Sequence, residues 1–169
     1  MSRLLGVDLG AKRIGLAVGD EATGSAHGLG ILRRGSLEHD AAALAGIAAE
    51  RSIEALVVGL PRDTDGTEGP QAAATREWGE AIAARLGLPL RWRDERWTSQ
   101  DAEAALGRVR RGRSGGPPSG PALRRRRAAV DREAARLILE AELAARTATG
   151  GLASPTHAAG RDLAGRPRP

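Results

Sequence analysis

Short apolar runs separated by turn signals open the chain. Leu4 to Leu9 and Ile14 to Gly19 are two such runs, and Gly10-Ala11-Lys12-Arg13 between them predicts a hairpin turn. A third run, Gly28 to Leu32, follows a polar loop carrying Asp20, Glu21 and Thr23. Three strands in quick succession predict an antiparallel meander.

The period then changes. Leu37, Ala41, Leu44, Ala45 and Ala48 fall at helical spacing behind Ser36, a residue type suited to an N-cap. Ile53 to Gly59 is β-branched and uninterrupted, the pattern of a strand buried on both faces. A polar loop, Leu60 to Gly69, leads to a helix with Pro70 in its first turn, Gly87 at its end, and Ala74, Trp78 and Ile82 as its buried stripe. Leu88 to Arg93 returns as a strand ending in Asp94-Glu95-Arg96. Thr98 and Asp101 then have capping-box spacing, and Ala102, Ala105, Leu106 and Val109 give the following helix its inner face. Gly112 to Pro121 is rich in Gly, Pro and Ser and breaks that helix. A last helix is predicted from about Arg125 to Arg146, with Val130, Ala134, Leu137, Ile138 and Ala141 inward.

The predicted order is βββαβαβαα, an α/β domain over residues 1–146. Its three antiparallel strands feed two βα units whose strands join the same sheet in parallel. From Thr147 to Pro169 the apolar periodicity stops, and a disordered tail is expected.

Composition narrows the chemistry. The 169 residues contain no Cys, Phe or Tyr and only three Trp, so the core must be built from Leu, Ile, Val and Ala. Without cysteine, disulfides and thiolate metal sites are excluded, and a metal must be held by oxygen ligands or the three His. His27, His39 and His157 do not cluster with the acids. No stretch approaches the ~20 apolar residues of a membrane span, and the first residues run directly into a strand. A soluble cytoplasmic protein is the expectation. Lys and Arg number 26 against 21 acids, a net charge of +5, and the excess favours a polyanionic partner.

Three acids stand out. Asp8 interrupts an apolar strand, where an ionised carboxylate is costly unless it is paired or binds a metal. Capping the turn, or pairing with Lys12 or Arg13, is the structural alternative. Asp94-Glu95 lies at the C-terminal end of a predicted strand, where open α/β sheets bind ligands; pairing of Glu95 with Arg93 or Arg96 is its structural alternative. Asp131 falls in the first turn of the predicted last helix, beside the inward Val130, where the helix dipole alone accounts for an acid. Brought together, the three would supply the oxygen ligands that hard divalent ions require. Two such ions about 3.5–4 Å apart activate a water and stabilise the leaving oxygen of a phosphoryl displacement.

The motifs resemble a known family. Gly6-Val7-Asp8-Leu9-Gly10-Ala11-Lys12-Arg13-Ile14-Gly15-Leu16-Ala17-Val18-Gly19-Asp20 is similar to the opening motif of the YqgF/RuvX family. So are Val57-Val58-Gly59-Leu60-Pro61 with Asp65-Gly66-Thr67, then Asp94-Glu95-Arg96-Trp97-Thr98 with Ala102-Glu103, then Arg126-Arg127-Ala128-Ala129-Val130-Asp131. The blocks occur in the family's order over about residues 3 to 140. The resemblance implies an RNase H-like fold with a five-stranded mixed sheet, related to Holliday-junction resolvases of the RuvC type. It implies a nuclease acting in maturation of the 5′ end of the small-subunit ribosomal RNA precursor, some members being described as junction resolvases. Carried over by position, the metal-binding acids are Asp8, Glu95 and Asp131, holding Mg²⁺ or Mn²⁺. The choice between Asp94 and Glu95 depends on strand register, and Glu95 is favoured. The loop from Gly112 to Leu123 is longer and richer in Pro than the family's usual segment.

Arg108, Arg110, Arg111, Arg113 and Arg124, Arg125, Arg126 and Arg127 form a basic stretch with no acid between Ala104 and Val130. Its functional reading is phosphate contact with structured RNA or branched DNA, and its structural alternative a solvated loop. Lys12 and Arg13 beside Asp8, and Arg96 beside Glu95, are further candidates. Leu60 to Gly69 is a second candidate substrate loop, and Trp97 is a candidate for stacking on a base. An ATPase of the sugar-kinase kind would need a second half that this chain lacks. A non-catalytic RNA-binding assembly factor on pre-ribosomal particles is the remaining rival. Cutting a four-way junction symmetrically requires a homodimer, and trimming one RNA end requires only a monomer.

Overall fold

The computed structural model describes residues 2–62, 66–94, 102, 104–107 and 120–148. Five strands and three long helices are present among them: β1 (Arg3–Leu9), β2 (Arg13–Asp20), β3 (Ser25–Arg33), α1 (Leu37–Arg51), β4 (Ala55–Leu60), α2 (Pro70–Leu86), β5 (Leu90–Asp94) and α3 (Gly120–Ala148). Ala102, Ala104 and Ala105 are also helical, in the place predicted for the helix before α3. The sheet order is β3-β2-β1-β4-β5. β1 pairs antiparallel with β2 and β2 with β3, whereas β1–β4 and β4–β5 are parallel. This is the five-stranded mixed sheet expected from the sequence, three antiparallel strands followed by two parallel ones. Among the described residues no helix is long and apolar enough to cross a membrane.

Local chemistry fixes the element ends. Ser36 caps α1 by accepting the His39 N–H at 3.2 Å. Pro70 opens α2, where its missing N–H costs nothing, and Gly87 closes it at φ +64°. Gly10 N–H donates to the Arg13 carbonyl at 2.9 Å across the first hairpin turn.

Strand alternation divides the core in two. Leu5, Val7, Leu9, Ile14, Leu16, Leu56 and Val58 meet Leu44, Trp78 and Ile82 on the face covered by α1 and α2. On the other face Leu4, Ala17 and Val57 meet Ala135, Ile138, Leu139 and Leu143 of α3. Each fully buried leucine contributes about 1.5–3 kcal/mol. α3 comes unusually close to the sheet because glycines floor its path. A Cβ on Gly6 would meet the Leu139 side chain at 2.4 Å, and one on Gly28 would meet Arg132 at 2.7 Å.

Several positions differ from the expected stripes. Ala45, Ala74, Ala105 and Ala141 are exposed. Asp40, Thr75 and Glu142 are buried in neighbouring positions, because each has a partner for its polar atoms. Asp40 accepts from Gly35 N at 2.9 Å and from Trp78 Nε1 at 3.2 Å. The Thr75 hydroxyl donates to the Gln71 carbonyl at 2.9 Å. Glu142 accepts from Arg93 at 2.5 Å and Arg91 at 3.4 Å. α3 also starts at Gly120 rather than near Arg125, with Pro121 in its first turn, and continues through Thr147 and Ala148. Residues 149–169 of the expected tail lie outside the described residues.

Candidate functional site

Asp8 lies one residue from the end of β1. The even-numbered residues of this strand face α3, since Leu4 belongs to the α3 core and Gly6 meets Leu139. Asp8 shares that parity, so alternation directs its side chain to the α3 face. Its register partner on β2 is Gly15. A Cβ on Gly15 would stand 2.0 Å from the carbonyl oxygen of Asp131. Asp8 and Asp131 therefore belong to one strand–helix crossing, and Gly15 makes that crossing possible.

Asp131 is not in the first turn of its helix. With α3 beginning at Gly120 it lies in the fourth turn, beyond the reach of the helix dipole, which falls off within the first turn. The counter-charge comes from elsewhere: Arg13 Nε donates to Asp131 Oδ2 at 2.5 Å, with side chains 31% and 23% exposed. Arg13 is the first residue of β2, and its guanidinium, partly exposed, is engaged by this acid. Lys12, in the turn before it, is exposed.

Glu95 lies outside the described residues, as do Arg96, Trp97, Thr98, Asp101, Arg108, Arg110, Arg111 and Arg113. Strand β5 up to Asp94 shows its parity: Trp92 packs on Gly79 of α2, while Arg91 and Arg93 reach Glu142 of α3. Asp94, with the parity of Trp92, is exposed at the strand end.

Arg124, Arg125, Arg126 and Arg127 all lie on α3. Arg124, Arg125 and Arg127 are exposed, and Arg126 donates to the Leu106 carbonyl at 3.0 Å. Arg124 and Arg127, three residues apart on one face of α3, repel each other, so this end of α3 favours an anionic partner. The loop after β4 carries a second charged group that sequence reasoning missed. Glu68 is held between Arg62 at 3.1 Å and Arg76 at 2.7 Å, and the Arg76 guanidinium lies 5.1 Å from the centre of the Trp92 ring. The hydrogen bond from Arg76 holds the Glu68 carboxyl below its ordinary value. Glu68, eight residues before Arg76 and across a helix start, gives no periodic signal of this contact.

Asp8 and Asp131 are hard oxygen donors on one face of the sheet, a donor set that suits a hard divalent cation and not a soft metal. Among the described residues no group of three such donors is complete, Glu95 lying outside them.

A family model described as RuvX, Holliday junction resolvase, matches residues 2–145. A protein of Anaeromyxobacter dehalogenans named "Putative pre-16S rRNA nuclease" is 44% identical over 139 residues, covering 82% of this chain and 93% of that protein. One of the same name from Moorella thermoacetica is 39% identical over 141 residues, covering 83% and 94%. The solved structure of T. thermophilus RuvC in complex with Holliday junction substrate shares 16% identity over 88% of this chain and 98% of that one, with a TM-score of 0.49. With a family match across nearly all of its described residues and relatives of about this identity, the chain belongs to the RuvX family.

Proposed function

We propose that this chain is a divalent-metal-dependent endonuclease that hydrolyses phosphodiester bonds in structured nucleic acid, with 5′-end maturation of pre-16S rRNA in the cytoplasm as its task. The observation that carries this reading is the crossing of β2 and α3 at Gly15, which gathers Asp8 and Asp131 on one face of the sheet. The names of the relatives supply the substrate.

Asp8, Glu95 and Asp131 would hold Mg²⁺ or Mn²⁺. The parity of β5, which turns Arg91 and Arg93 toward α3 and Trp92 away from it, favours Glu95 over Asp94 as the third ligand. Bound there, the metal supplies Lewis-acid activation of water and stabilisation of the leaving oxygen. The protein's own part is positional. α3 is locked on the glycine floor of the sheet, and its N-terminal arginines, Arg124 to Arg127, meet the phosphates of the substrate beside the acids. Lys12, Arg96, Arg110, Arg111 and Arg113 extend that contact.

Resolution of Holliday junctions is the second reading, favoured by the description of the family model. It requires two active sites and hence a homodimer. Cleavage of matched precursor RNA, duplex DNA and four-way junction substrates with Mg²⁺ or Mn²⁺ separates the two. The RNA should be cut, and Asp8→Asn should abolish cutting while retaining binding. Preferential cutting of the junction would select the resolvase. Binding without cutting of any substrate would leave a passive RNA-binding factor.

A further inference from the structure

The short contact between Arg13 and Asp131 is not absorbed by a nuclease centre built from acids alone. We propose that Arg13 is a displaceable counter-ion of Asp131, a positioning residue that competes with the divalent cation for this carboxylate. The inference rests on the reading of Asp131 as a metal ligand.

The geometry supplies the competition. Arg13 Nε engages Asp131 Oδ2 at 2.5 Å, and a guanidinium on a carboxylate oxygen occupies the position a hard cation would take. The geometry also supplies the release. The Arg13 backbone is fixed in the hairpin, with its carbonyl accepting from Gly10 N–H. The side chain, by contrast, is long and about one-third exposed, so it can leave for solvent without unfolding anything. Its surroundings favour departure once the carboxylate charge is shared. Arg33 stands directly opposite Arg13 in the β2–β3 register, and cations directly opposite in a sheet repel. Arg34 is bound to the same turn through the Gly10 carbonyl, 3.2 Å from its guanidinium, and Lys12 precedes Arg13 in it.

An arginine released here lies at the edge where substrate phosphates are proposed to bind. A phosphate that takes up Arg13 removes the competitor from Asp131, so nucleic acid and metal tighten each other's binding by the same factor. A purely structural ion pair would produce no such coupling.

Calorimetric titration of MnCl₂ into the full chain without nucleic acid tests this. Arg13→Gln should bind Mn²⁺ about tenfold more tightly than the wild type, equivalent to about 1.4 kcal/mol, whereas Asp131→Asn should bind more weakly. Equal or weaker binding by Arg13→Gln, with Asp131→Asn still impaired, overturns the competition and leaves the metal centre standing. Binding that ignores both Asp8→Asn and Asp131→Asn overturns the metal centre and the competition together. A second measurement needs no variant protein. The Arg13 Nε–H resonance of the wild type should move on saturation with MgCl₂, and an Arg13 signal that stays in place while Asp131 shifts also overturns the proposal.

Discussion

Gly15 lies directly beneath Asp131: a Cβ on the glycine would be 2.0 Å from the carbonyl oxygen of the acid. Because Gly15 is also the register partner of Asp8, one missing methyl group sets the separation between two of the proposed metal ligands. Gly15→Ala should therefore lift α3 from the sheet and lower stability by about 1–3 kcal/mol, the usual cost of overpacking. Gly30 provides the control, since a Cβ there would meet nothing within 4 Å. Gly30→Ala should change stability by no more than about 0.5 kcal/mol. Urea denaturation of both variants checks the contrast, and equal effects would contradict it.

The exposed arginines of α3 give a prediction in salt. If Arg124 and Arg127 each contact a phosphate, replacing either with Ala should make the slope of log K against log[salt] shallower by about 0.9 on B-DNA or about 0.7 on a single strand. The loss should be nearly uniform across sequences, because phosphate contacts carry no base information. Affinity measured between low and physiological salt decides this. An unchanged slope removes these residues from the interface.

Glu142 bears on stability and not on chemistry. It is buried among Ile138, Leu139 and Leu143 and ties α3 to β5 through Arg91 and Arg93. Arg91 also reaches Glu21 at 3.4 Å, and Arg146 meets the same Glu21 at 2.8 Å. Glu142→Ala removes the buried carboxylate that Arg91 and Arg93 share, Arg91 keeping Glu21, and should cost about 3 kcal/mol, near the lower end for a broken buried pair. Chemical denaturation measures it, and a loss under 1 kcal/mol would show that water takes over the arginines.

Acid should weaken the fold through particular carboxylates. Arg76 lowers the pKa of Glu68 chiefly by a hydrogen bond, and Arg136 does the same for Glu133. A depressed carboxyl pKa contributes stability that is complete above the ordinary value of 4.5 and is lost as pH falls through the lower folded value. Melting temperature should hold above that pH and drop below it. Glu133→Gln should flatten the drop, and a variant with the wild-type profile would contradict the assignment.

Much of the fold was legible because its signals are local. The β-branched run around Val57 and Val58 gave a strand buried at all six positions, and Ser36, Pro70 and Gly87 marked their helix ends. Helix phase was less legible. Alanine fits an exposed face as readily as a buried one, so Ala45, Ala74 and Ala141 carried no phase information. The burial of Asp40, Thr75 and Glu142 has no local signal, because the groups that satisfy them, Trp78, the Gln71 carbonyl and Arg93, come from the tertiary fold or the previous turn. Of the site, Asp8 was visible as a charge in an apolar strand. The role of Gly15 was not, since a glycine chosen for close approach cannot be recognised without its partner helix. The Arg13–Asp131 pair, 118 residues apart, leaves no spacing to read.

The most direct measurement is anomalous X-ray scattering from crystals soaked in Mn²⁺. A manganese peak within bonding distance of the carboxylates of both Asp8 and Asp131, with Glu95 completing the shell, is the predicted result. Manganese bound elsewhere, with Arg13 still seated on Asp131 at saturating metal, would contradict the proposed centre.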